Sequence, residues 1–139
     1  MGMHDMSYLM TPKLWEKIDY FIPDDFGCVD MDGILIYTLQ EMRKFIGKPI
    51  HIHCGYKDRA GYHGKKCAAD LHIDDLHPID QFVVASRFDN FNGIGVYRWG
   101  IHVDTRPKMY KYSHDSRWGC LTKGEYVKLD SNFFRELLE

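Results

Sequence analysis

Eight histidines fall in a chain of 139 residues, and several of them sit beside carboxylates. Imidazole and carboxylate together are the donor mixture that a borderline cation such as zinc takes. A catalytic zinc site needs about three protein ligands and leaves a fourth position for water. His63 lies seven residues before Asp70, the first at the end of a polar loop and the second inside a strand-like segment, so the loop can fold both toward one point. His102 and Asp104 are two apart in another strand-like segment and therefore project from one face. Three ligands and one adjacent carboxylate are the minimum for metal-assisted hydrolysis, in which a bound metal lowers the pKa of its water and a nearby acid takes the proton.

These residues need a frame. Thr11-Pro12 reads as an N-cap followed by proline at the first helical position, opening a helix through LWEKIDYF that stops near Pro23. Asp30 or Asp32 can cap a longer helix whose Leu35, Leu39, Met42 and Ile46 fall at helical spacing, and Gly47 and Pro49 end it. In PIHIHC, Ile50 and Ile52 alternate with His51 and His53, the pattern of a short strand. GYKDRAGYHGKK suits a surface loop, and loops on a rigid scaffold often carry function. CAADLHI is again strand-like, with Ala68, Asp70 and His72 on one face. Pro78 opens a helix through IDQFVVASRF, GIGVYRW and GIHVDT read as the last core strands, and a tail helix begins at Ser131. With no repeats or linkers, the expected architecture is one α+β domain over residues 1–139, a small antiparallel sheet flanked by helices.

Composition narrows the partners. A formal charge of -2 and a pI near 6.4 provide no basic field for nucleic acid or anionic lipid, so neither partner is expected. No apolar run approaches the roughly 20 residues that span a bilayer, and MGMHDMSYLM lacks the basic start and apolar core of a signal peptide. The expectation is a chain made and kept in the cytoplasm. Cys28, Cys54, Cys67 and Cys120 form no C-x-x-C pair and read as reduced, mostly buried side chains.

The block HGKKCAAD resembles the metal motif of the zinc D-alanyl-D-alanine carboxypeptidases and their phage endolysin relatives, Ser-x-His-x-x-Gly-x-Ala-x-Asp, with His63, Ala68 and Asp70 in register. GIGVYRWGIHVDTR resembles that family's second motif, a Gly-x-Gly-x-Tyr strand followed by His-x-Asp, in which His102 matches the third ligand. Together with the lead-in DDFGC, MRKFIGKPI and HCGYK, the resemblance covers roughly residues 20 to 106. It implies a hedgehog/D-Ala-D-Ala carboxypeptidase-like fold, one Zn2+ held by His63, Asp70 and His102, and hydrolysis of an amide bond in a peptidoglycan stem peptide next to a D-amino acid. Either a carboxypeptidase or an endolysin-type endopeptidase would fit, and release by phage lysis or carriage in a virion would bring such a chain to the cell wall.

The chain departs from the family at instructive places. Gly61 and Lys66 stand where the pattern has serine and glycine, and Trp99 and Gly100 stand where many relatives have a catalytic Glu or His before the third ligand. Lys57 follows Cys54-Gly55-Tyr56 where relatives place an arginine for the substrate carboxylate; lysine supplies the charge without the bidentate fork. Asp104 is then the nearest carboxylate on the metal face, assigned as general base or as the orienter of a ligand histidine, with a plain ion pair to Arg106 as the alternative.

His51, His53 and His72 read as hydrogen-bonded structural histidines, with lining of the cleft as the other reading, and His4, His77 and His114 as surface loop residues. Tyr56, Tyr62, Tyr97 and Trp99 are either core or an aromatic wall for substrate, and Arg117-Trp118 resembles an Arg-Trp pair after the family's second motif. Two rival functions stand beside the peptidase. One is a catalytically silent zinc-containing cell-wall-binding or virion module. The other is a cysteine enzyme using Cys54 or Cys67 with a nearby histidine.

Overall fold

The computed structural model describes residues 8–107 and 116–139. Its elements run α1 (Pro12–Trp15), α2 (Pro23–Phe26), α3 (Gly33–Ile46), β1 (Ile50–Cys54), β2 (Ala68–Ile73), α4 (Pro78–Ala85), β3 (Gly93–Tyr97), β4 (Ile101–Asp104), β5 (Ser116–Cys120) and α5 (Ser131–Leu138). The strands form one five-stranded sheet in the order β1-β2-β4-β3-β5. His4 and His114 lie outside the described residues.

The sheet is mixed, which corrects the antiparallel expectation. β1, β2, β4 and β3 pair antiparallel as expected, whereas β5 lies parallel to β3. β5 lies on the far side of β3 from β4 and runs in the β3 direction. SRWGC holds no β-branched residue, and its strand state comes from pairing with β3 rather than from its own propensity.

Period-two alternation separates the two sheet faces. Ala69, Leu71, Ile73, Ile94, Ile101 and Val103 are buried and pack on the fully enclosed Leu35, Ile36, Leu39 and Met42 of α3. Each of the larger side chains contributes roughly 1.5–3 kcal/mol by leaving water, so this layer fixes the strand register. Asp32 is the α3 cap: its Oδ2 accepts from the Leu35 N–H at 3.1 Å, and Gly47 closes the helix at φ 66°. Phe133 and Leu137 of α5 bury with Val96 in a second cluster.

Two helices are shorter than the sequence pattern predicts. α1 ends at Trp15, after which the backbone tightens into i→i+3 turns, Lys17 N–H to the Leu14 carbonyl and Ile18 N–H to the Trp15 carbonyl, both at 3.1 Å, and Ile18 and Phe21 enter the core. α4 stops at Ala85. Among the described residues no helix is long and apolar enough to cross a membrane.

Candidate metal centre

The face of the sheet opposite α3 carries Asp70 and His72 from β2, His102 and Asp104 from β4, and Gly93 and Gly95 from β3. Asp70 and His102 are direct cross-strand partners. The loop before β2 brings His63 to them: the Lys66 carbonyl accepts from the Asp32 N–H at 2.9 Å, and Lys66 Nζ pairs with Asp30 at 2.7 Å. The loop is thereby tied to the cap of α3. Lys66 takes a left-handed φ of 64°, a conformation that costs a non-glycine residue energy and is recovered through these contacts.

His63, Asp70 and His102 converge. His63 Nε2 lies 3.3 Å and His102 Nδ1 3.0 Å from the same oxygen, Asp70 Oδ1. The far nitrogen of each ring has a partner that only accepts: the Gly55 carbonyl at 2.7 Å from His63 Nδ1, and Asp104 Oδ2 at 2.7 Å from His102 Nε2. Those nitrogens must carry the protons. In their neutral forms both rings therefore aim a lone pair at a carboxylate oxygen. That arrangement is repulsive without a cation or extra protons between the groups, and its imidazole and carboxylate donors are of the kind a zinc ion takes.

Burial pushes the Asp70 carboxyl up, but the hydrogen bonds and charges of His102 and His63 outweigh it and hold it well below the usual range. Burial opposes a charged His102, yet Asp104 and Asp70 raise its pKa above the ordinary value. Both imidazole side chains are only 9% exposed.

Asp104 is fully enclosed, and Arg106 grips both its oxygens, Nε to Oδ1 at 2.8 Å and an Nη to Oδ2 at 2.7 Å. The ion pair with Arg106 and the contact with His102 thus coexist. Asp104 sits across the His102 ring from Asp70, the placement of an orienting residue. The Arg106 guanidinium lies over the rings of Tyr62 at 4.2 Å and Trp118 at 5.0 Å.

Glycines make room for this layer. A Cβ at Gly93 would come within 2.5 Å of the Asp104 carboxylate, and one at Gly95 within 2.5 Å of the Trp118 indole. The Gly-x-Gly spacing in β3 was the signal for such a close approach. Arg59, by contrast, has no pattern in the sequence that places it at the site, and the Arg117-Trp118 pair assigned Trp118 no role there. Both line a cavity of about 490 Å3 above the cluster, with Tyr97, Trp99 and Arg106. Tyr97 and Trp99 stack at 4.9 Å, and the Trp118 N–H donates to the Tyr97 hydroxyl at 3.3 Å.

Lys57 is exposed on the loop after β1 and is not in that lining. Cys54 Sγ, a nitrogen of His63 and an Asp70 oxygen lie within 4.8 Å of one another, so a thiol borders the centre. Its contact is 3.5 Å to His63 Nδ1, on the Gly55 side of the ring. His63 Nε2 faces the other way, toward Asp70 and His102. A larger cavity of about 720 Å3, walled by Met10, Leu14, Tyr37 and Phe88, has no histidine or cysteine among the described residues of its lining, whereas His63, Asp70 and His102 line the smaller one. Compared with known proteins, the chain matches no family model, no curated protein and no solved structure.

Proposed function

We propose that this chain is a zinc-dependent peptidase of the hedgehog/D-Ala-D-Ala carboxypeptidase-like type, which hydrolyses an amide bond of a peptidoglycan stem peptide next to a D-amino acid. The observation that carries the metal-dependent part is the convergence of His63 Nε2 and His102 Nδ1 on Asp70 Oδ1, with both opposite nitrogens held by acceptors. The substrate class is supported by the two motif blocks that contain these residues.

His63, Asp70 and His102 would hold the ion. Zn2+ bound there supplies a Lewis acid and a water of lowered pKa. Asp104 and Arg106 hold His102 in one tautomer and orientation, and the Gly55 carbonyl does the same for His63. Tyr97, Trp99 and Trp118 provide apolar walls that exclude water from the bound peptide. The carboxylate of a stem peptide finds Arg59 in the lining, with Lys57 exposed on the same loop.

One observation favours the silent zinc-containing module instead: among the described residues Asp70 is the only carboxylate in the cavity lining, and it already contacts the two histidines. Incubation of the zinc-loaded chain with purified peptidoglycan separates the two. New amine ends or released D-alanine, abolished by a chelator and restored by zinc, are expected of the peptidase. Bound zinc with no new amine ends identifies the module and overturns the enzymatic reading.

A further inference from the structure

The solvent face of β1 and β2 carries a second group of ligating side chains. His51 and His72 are direct cross-strand partners, and His53 stands two residues along β1 on the same face. Asp74, just past the end of β2, meets them: His51 Nε2 is 2.9 Å and His72 Nε2 3.6 Å from one oxygen, Asp74 Oδ1. The two rings stack at 4.6 Å with 19° between their planes, so their edges address the same point.

Donors held at about 2.0–2.2 Å from a tetrahedral ion stand roughly 3.3–3.5 Å apart. The separations to Asp74 bracket that value. His72 also has the support a metal-bound imidazole uses, because its Nδ1 lies 2.6 Å from His53 Nε2. With His53 accepting the Nδ1 proton, the His72 Nε2 lone pair is left facing the Asp74 carboxylate. His51, His72 and Asp74 side chains are 49, 34 and 41% exposed, which leaves coordination positions open to water.

We propose that His51, His72 and Asp74 form a second, surface site for a divalent transition-metal ion of the zinc, nickel or copper kind, with His53 orienting His72. Two imidazoles, one carboxylate and solvent suit these ions and not magnesium or calcium. The site is separate from the His63–Asp70–His102 centre and does not depend on that centre's proposed activity.

Equilibrium dialysis of the metal-stripped full chain against Zn2+, with bound metal counted by elemental analysis, tests it. Two ions per chain are expected, falling to one in His51→Asn and in Asp74→Asn, whose exposed side chains leave the fold intact by circular dichroism. In a His63→Asn chain one ion remains, and Cu2+ bound there shows hyperfine coupling to imidazole nitrogen that disappears when His51→Asn is added. An unchanged zinc count in both His51→Asn and Asp74→Asn overturns the proposal and leaves a hydrogen-bonded histidine stack. If the other centre fails instead, the unmodified chain binds one ion, lost in His51→Asn and kept in His63→Asn.

Discussion

The His102 Nε2–H donates to Asp104 Oδ2 at 2.7 Å, and Asp104 in turn is clasped by Arg106 through both oxygens. This chain of contacts makes Asp104 the residue that sets which His102 nitrogen is free. Asp104→Asn keeps the shape, but its single acceptor oxygen cannot serve both partners. Zinc affinity is expected to fall 10–100-fold, read by competition with a chromophoric chelator. The metal-free protein should lose about 3–5 kcal/mol, because Arg106 is left partly buried and unpaired; urea unfolding measures it. Unchanged zinc affinity would remove the orienting role.

Acid should expose the same pair. Burial raises the Asp104 pKa, but the hydrogen bonds and charges of Arg106 and His102 outweigh it and bring it down to about 2. The unfolded carboxyl titrates near 3.9. Because the folded value is the lower one, the stabilisation is present above about pH 4 and is lost as pH falls through about 2. It is worth roughly 2 kcal/mol for this fully enclosed group. Urea midpoints of the metal-free chain between pH 5 and pH 2 should show this limb, and Asp104→Asn should show a shallower one; coincident limbs would place the acid sensitivity elsewhere.

Cysteine chemistry gets a direct test at Cys67. Burial first, then the charges of Asp104 and Asp32, push its thiol up to about 12, and the thiolate is the reactive form. Burial also raises Cys54. Iodoacetamide at pH 8 is expected to leave Cys67 unmodified in the native chain, by mass spectrometry. Peptidoglycan hydrolysis should survive Cys67→Ser while a chelator abolishes it. Loss of activity in a folded Cys67→Ser, with resistance to chelation, would point to a cysteine enzyme.

Substrate anchoring should follow the cavity rather than the motif. Arg59 lines it and Lys57 does not. With a stem peptide bearing a free carboxylate, Arg59→Ala should raise KM on the order of tenfold, the size of a charge-assisted hydrogen bond, and Lys57→Ala by less. The reverse order in steady-state kinetics would return the anchor to Lys57.

Gly95 tests the tryptophan floor. The added methyl of Gly95→Ala would stand 2.5 Å from the Trp118 indole, whose ring is 5.1 Å from that of His102. Overpacking of this kind costs about 1–3 kcal/mol. Urea unfolding should show that loss together with a shift in tryptophan emission. Unaltered stability and emission would mean that Trp118 does not rest on Gly95.

The sequence by itself determined the elements whose pattern is local. Alternation in IHIHC and AADLHI, helical spacing from Leu35 to Met42 and the Gly-x-Gly of β3 are written in neighbouring residues, and they placed His63, Asp70 and His102 on backbone that could converge. The tertiary structure decided what depends on residues far apart in the chain. β5 became a strand only through its pairing with β3. Asp104 reads from the sequence as base, orienter or ion-pair partner, and only the packing encloses it between His102 and Arg106. Arg59, Trp118 and the stacked His51 and His72 acquired their places in the same way, because a side chain's chemistry is set by what the fold brings to it across strands, and no spacing along the chain encodes that distance.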